Sequence, residues 1–202
     1  MTLSPSLSHQ CNLGNGWVFD HHANLPLRQN SLWKLEGGAV RTLTWLEDGT
    51  PVILGLWGPG DVVGTVLVNI SPYQIECLTQ VKAIPLTLNE NHHQTGILLS
   101  HIQQLEELTV IRSYKRVECK IVNLLSWLGR KFGREVATGK LIDLYLTHQD
   151  MAELLGSTRV TITRTLSQLE QQGLIERFGR QQILLRKAAI WSNERDVVEI
   201  IA

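Results

Sequence analysis

The apolar positions change their period along the chain, and the changes divide it. From Trp17 to about Leu88 they come in short runs at 32–35, 39–46, 51–57, 62–68, 74–79 and 83–88. The breaks are turn residues: Glu36-Gly37-Gly38, Glu47-Asp48-Gly49-Thr50, Gly58-Pro59-Gly60-Asp61 and Ser71-Pro72. Runs bounded in this way read as strands, and Asp48-Gly49 is a hairpin signal because such residues tolerate the backbone of a tight turn. Strands without intervening helices predict an antiparallel roll or sandwich. From Thr95 to about Ser113 the period becomes helical. Leu98, Ile102, Leu105, Leu108 and Arg112 recur at three- and four-residue steps, and no Gly or Pro interrupts residues 97–128. Polar and charged residues replace the stripe over 112–116, a hinge. Ile121, Leu124, Leu125 and Leu128 then resume it, and residues 133–139 read as an exit loop.

Residues 146–164, LTHQDMAELLGSTRVTITR, read as two short helices joined by a tight turn. Thr147 caps the first, and Asp150 completes a short-acid capping box. Met151, Leu154 and Leu155 form its apolar stripe, and Gly156, able to take left-handed backbone, ends it. Ser157 and Thr158 offer the next N-cap. The second helix runs from Arg159 to about Gln172 and buries Ile162, Leu166 and Leu169, leaving Arg159, Val160, Thr163, Arg164 and Ser167 mainly off that stripe. A helix that hides its aliphatic face and shows arginines in its first turns suits the major groove of double-stranded DNA, where arginine grips a guanine edge with two bonds. Helix–glycine–helix pairs also occur in plain bundles. Here residues 173–177 and 182–185 follow as two short strands around the turn 178–181, a basic-tipped wing, which makes the unit a winged helix-turn-helix.

Charge sharpens this picture. The 202-residue chain is neutral, 19 Lys and Arg against 19 Asp and Glu. Residues 1–111 hold 4 basic and 9 acidic side chains, whereas residues 112–187 hold 14 and 7. A basic segment that contains the helix-turn-helix is the electrostatic footprint of phosphate contact. Composition adds only limits: 43% hydrophobic and 19% charged residues fit an ordinary globular protein. No run nears the ~18 apolar residues that span a bilayer, and the first eleven residues lack the features of a signal peptide. Cys11, Cys77 and Cys119 stand far apart without metal-ligand spacing, so a cytoplasmic location, with no membrane partner and no metal, is expected. No nucleophile elbow, phosphate loop, HExxH or carboxylate cluster marks an enzyme. An adaptor whose winged helix binds protein rather than DNA is the competing class, and the first-turn arginines argue against it.

Residues 146–185 resemble the DNA-binding domain of the cyclic-AMP receptor protein/FNR superfamily of bacterial regulators. The run GSTRVTITR is particularly similar to that of the cyanobacterial global nitrogen regulator, and GAVRTL and GPGDVVG resemble the superfamily's β-hairpin and glycine corner. The resemblance implies an α+β chain: an antiparallel, jelly-roll-like β-roll over 1–94, a long dimerisation helix over 95–113, and a winged helix-turn-helix over 114–202 that includes a C-terminal tail. It implies a homodimer joined through Leu98, Ile102, Leu105, Leu108 and Arg112, and RNA polymerase as a partner if the protein activates.

By residue match, Arg159 and Arg164 take the two guanine-reading positions. Val160 replaces a glutamate that accepts from cytosine, so it packs against a thymine methyl instead. The nitrogen regulator shares Arg-Val-Thr, which implies a GTA-N8-TAC-like palindrome. Its triplet centres lie about eleven base pairs apart, close to one helical turn. Thr147, His148, Gln149, Thr158, Thr161 and Arg180 are the expected phosphate contacts, with Arg186 and Lys187 as further candidates. The effector is unknown and no cofactor is predicted. Where cyclic-nucleotide-binding relatives carry Gly-Glu and then Arg-Ser, this chain has Gly64-Thr65 and Ser71-Pro72, which leaves a buried phosphate without a cation. Haem through Cys77, His21-His22 or His92-His93, and 2-oxoglutarate near Arg28, Lys34, Arg41 and Lys82, are the alternatives.

Overall fold

The computed structural model describes residues 11–13, 16–27, 32–86, 94–179 and 182–186. The C-terminal tail, Arg28, His92-His93, Arg180 and Lys187 lie outside them. The chain forms two compact units, Met1–Ile102 and Gln103–Ala202.

The first unit is antiparallel throughout. Its strands are β1 (Cys11–Leu13), β2 (Gly16–Phe19), β3 (Leu32–Gly37), β4 (Val40–Trp45), β5 (Pro51–Trp57), β6 (Val62–Gly64), β7 (Gln74–Cys77) and β8 (Val81–Leu86). They make a five-stranded sheet in the order β1-β2-β8-β3-β6 and a three-stranded one in the order β5-β4-β7. Phe19, Trp33, Val63 and Val81 from the first sheet share one buried cluster with Val40, Trp57, Ile75 and Cys77 from the second. This is the expected roll, two sheets whose inward residues make one core. The 62–68 run stops as a strand at Gly64 and continues as a 3-10 turn, Thr65–Leu67. At Gly38, φ is +78° and a Cβ would stand 2.1 Å from the Gln80 carbonyl oxygen, so the β3–β4 turn accepts only glycine.

The long helix α1 (Gln94–Ser113) begins in the first unit and ends in the second. Then come α2 (Val117–Phe132), β9 (Gly133–Val136), β10 (Gly139–Asp143), α3 (His148–Leu155), α4 (Arg159–Gln171), β11 (Ile175–Phe178) and β12 (Gln182–Arg186). The expected hinge is a real break: α1 stops at Ser113, and Arg116 is extended before α2. The expected exit loop at 133–139 is not a loop but the hairpin β9–β10. It completes a four-stranded sheet, β11-β12-β10-β9. Its glycine-bracketed residues look turn-like locally, yet Gly139–Asp143 pairs along its full length with Arg186–Gln182, some forty residues on. Nothing in the local pattern announces such a partner.

The end of α1 is fastened to its own unit. Trp127 on α2, 2% exposed, donates from Nε1 to Glu107 Oε2 at 2.6 Å. Arg112 Nε donates to the Leu154 carbonyl at 2.8 Å, and Lys120 Nζ to the Leu155 carbonyl at 3.1 Å. Two cations therefore cap the C-terminus of α3, where the helix dipole favours positive charge.

Candidate nucleic-acid interface

The interface is assembled from local chemistry. Thr147 Oγ1 accepts from the Asp150 amide at 3.0 Å, while the Thr147 amide donates to Asp150 Oδ2 at 2.8 Å, closing the capping box of α3. Gly156 is left-handed, φ 60° and ψ 49°, and its amide returns to the Ala152 carbonyl. Thr158 then caps α4 by accepting from the Thr161 amide at 3.2 Å. Ile162, Thr165, Leu166 and Leu169 are buried, and each full aliphatic burial is worth about 1.5–3 kcal/mol. This burial fixes the rotation of α4, so Arg159, Val160, Thr163 and Arg164 face outward together. Neither Arg159 nor Arg164 makes a side-chain hydrogen bond or ion pair among the described residues. Val160 is 60% exposed, an apolar side chain in a polar row.

The flanking groups are more constrained. His148 Nδ1 and Thr163 Oγ1 are 2.8 Å apart, and Thr163 Oγ1 donates to the Arg159 carbonyl at 2.8 Å. Burial, with Arg177 and Arg159 nearby, holds the His148 imidazole below its usual pKa. Gln149 Nε2 donates to Glu153 Oε1 at 2.9 Å. Thr158 and Thr161 share a hydroxyl bond of 2.9 Å. A cleft of about 310 Å³ opens between the start of α3 and the wing, with Tyr145, Thr147, His148, Arg177 and Gly179 on its rim.

The wing is anchored by a pair the sequence reading missed. Arg177 on β11 reaches Glu170 on α4 through Nε and Nη2, at 3.0 and 2.5 Å, and its amide donates to Glu170 Oε1 at 3.0 Å. The Arg177 hydrogen bond keeps the Glu170 carboxyl below its usual range. The signal was an acid seven residues before an arginine across a turn, which becomes legible only once the turn geometry is known. Arg186 is paired with Glu176 at 2.6 Å, so its charge is committed within the wing.

On α1 the expected seam divides. Leu98, Ile102 and Leu105 are 40, 51 and 36% exposed, and Leu99 and Val110 are open beside them. Leu108 is 2% exposed, about a quarter-turn off the seam and turned into its own chain, and Arg112 reaches Leu154. In the roll, Arg41 pairs with Glu76 at 2.8 Å and Lys82 with Glu36 at 2.8 Å, and Lys34 is exposed. Cys77 lies in the core, its thiol pushed up to about 12 by burial and by Glu76 and Asp20. His22 is 3.1 Å from Glu76 and stacks on His21 at 3.7 Å. Among the described residues no helix is long and apolar enough to cross a membrane, and no group of three or more His, Cys, Asp or Glu could hold a metal ion.

Residues 119–189 match the family described as the Crp-like helix-turn-helix domain. Regulatory protein CysR of Synechococcus elongatus is 40% identical over 91% of this chain and 90% of its own length. The global nitrogen regulator of the same organism is 41% identical over 71% and 72%. Among solved structures, a CRP-family transcriptional regulator from Thermus thermophilus superposes with a TM-score of 0.73, covering 89% of this chain and 96% of its own at 22% identity. FixK2 from Bradyrhizobium japonicum gives 0.72 at 20% identity, covering 93% and 97%. These two share the fold, and the two cyanobacterial relatives extend the likeness to sequence along most of the chain. The chain belongs to the CRP/FNR family of DNA-binding transcription regulators.

Proposed function

We propose that the protein works in the cytoplasm as a homodimer on a GTA-N8-TAC-like palindrome, with one α4 in each of two successive major grooves. The observation that carries this reading is the outward row Arg159, Val160, Thr163 and Arg164, whose two guanidinium groups have no partner among the described residues. A free guanidinium presents two donors to the O6 and N7 of guanine, and an exposed valine finds its apolar partner in a thymine methyl. Together these favour a half-site with both guanine and thymine, as in GTA. Thr147, Gln149, Thr158 and Thr161 set register on the phosphates. RNA polymerase is the protein partner if the bound dimer activates. Two of the roll's cations, Arg41 and Lys82, are already paired with carboxylates of the chain, which weakens their claim as an anion site.

The dimer is built on Leu98, Ile102 and Leu105, with Leu99 and Val110 at its edges. Apolar side chains this exposed on one helix face need a partner surface. The test is the double substitution of Ile102 and Leu105 by Lys, followed by sedimentation velocity and duplex titration. The expected result is a monomer that loses about a hundredfold or more in affinity for a two-half-site duplex, because the second half-site no longer binds intramolecularly. A variant that stays dimeric with unchanged affinity would place the interface elsewhere.

A further inference from the structure

We propose that His148 is a proton-gated phosphate donor, taking up a proton as DNA binds, so that affinity rises as pH falls. The inference rests on the DNA-interface reading above. One hydroxyl bridges α3 and α4. Thr163 Oγ1 is 2.8 Å from the Arg159 carbonyl oxygen and 2.8 Å from His148 Nδ1. A hydroxyl has a single proton, and a carbonyl oxygen can only accept, so that proton points at Arg159. With the hydroxyl proton committed to the Arg159 carbonyl, the hydroxyl presents a lone pair toward His148, and the matching tautomer carries hydrogen on Nδ1. A neutral imidazole has one N–H, so its Nε2 is a bare acceptor. An acceptor facing a phosphate oxygen sets lone pair against lone pair. Only the imidazolium donates on both sides, from Nδ1 to Thr163 and from Nε2 to phosphate.

The surroundings make this a switch rather than a permanent charge. The charged and titratable groups around His148 come from several elements. Arg159 lies on α4, and Arg177 on β11 is tied to Glu170. Tyr145 shares the rim of the cleft, and Asp150 on α3 itself is tied to Thr147. Burial and the two arginines hold the free imidazole neutral to a lower pH than usual. A DNA phosphate in the cleft opposes both effects, since it offsets the arginines and accepts from Nε2. The imidazole therefore has a higher pKa bound than free. The gain in affinity is fully present below the free-state pKa and is lost as pH rises through the bound-state pKa.

The test is anisotropy titration of a labelled GTA-N8-TAC duplex between about pH 5.5 and 8.5, at constant ionic strength, with a scrambled duplex alongside. The wild type is expected to gain up to about tenfold in affinity per pH unit for each protomer across the window between the two pKa values. His148→Gln, which cannot gain a proton, should lose that slope. His148→Arg should also be flat, and should bind more tightly than wild type at the alkaline end. Circular dichroism confirms that both variants fold, and NMR titration of the wild-type imidazole, free and DNA-bound, reads the same shift without substitution. Selective binding with no pH slope, or a His148→Gln variant that keeps the wild-type slope, would overturn the inference alone. Failure to bind either duplex at any pH would remove the DNA-interface reading and the inference with it.

Discussion

Arg159→Ala is expected to weaken binding to a GTA-N8-TAC-like duplex by about 1–3 kcal/mol per half-site, roughly 2–6 kcal/mol across a symmetric site. The loss should be confined to sites carrying the guanine that Arg159 reads. Changing that base pair should then cost the variant little, whereas it costs the wild type heavily. The expectation rests on the exposure of Arg159 and on its freedom from any side-chain bond among the described residues. Its backbone carbonyl is engaged by Thr163, which steadies the first turn of α4 without occupying the guanidinium. Titration of the variant against a set of single-base-pair substitutions decides the point. A uniform loss on every duplex, with a salt dependence reduced by about one phosphate contact, would mean that Arg159 touches only the backbone.

Trp127→Ala should cost about 3–5 kcal/mol of stability, the range for removing a large buried aromatic. The indole is 2% exposed, stands edge-on to Phe132 at 6.1 Å, lies 5.6 Å beneath Lys131 Nζ, and donates to Glu107. The substitution opens a cavity and removes the bond by which α2 holds the end of α1. Trp127→Phe separates the two contributions: it keeps most of the ring and deletes the donor, so about 1.5–3 kcal/mol of the loss should remain. Urea unfolding at a fixed protomer concentration measures both, since the stability of a dimer depends on concentration. A loss below about 1 kcal/mol for Trp127→Ala would show that the α1–α2 junction does not depend on this contact.

How far the sequence could be read followed how local each signal was. The turn between α3 and α4 was legible to the residue, because Thr147, Asp150, Gly156 and Thr158 act through bonds to backbone only a few positions away. The strand of Pro51–Trp57 was likewise visible as one apolar run between turns. The hairpin β9–β10 was not, because its central strand depends on β12 for its pairing. On α1 the three- and four-residue spacing identified a helix, but spacing alone could not separate the open residues Leu98, Ile102 and Leu105 from Leu108, whose face is covered by its own chain. At the interface the arginines of α4 were legible. The pairs that fix the wing and the histidine, Arg177 with Glu170 and His148 with Thr163, needed coordinates.

The central claim, sequence-specific DNA recognition by the row Arg159, Val160, Thr163 and Arg164, is tested most directly by fluorescence anisotropy. The purified, ligand-free protein is titrated against a GTA-N8-TAC duplex and a scrambled control at two salt concentrations. The expected result is tight binding to the palindrome alone, weakening steeply with salt as phosphate contacts displace counterions. Equal affinity for both duplexes at both salt concentrations would contradict the account.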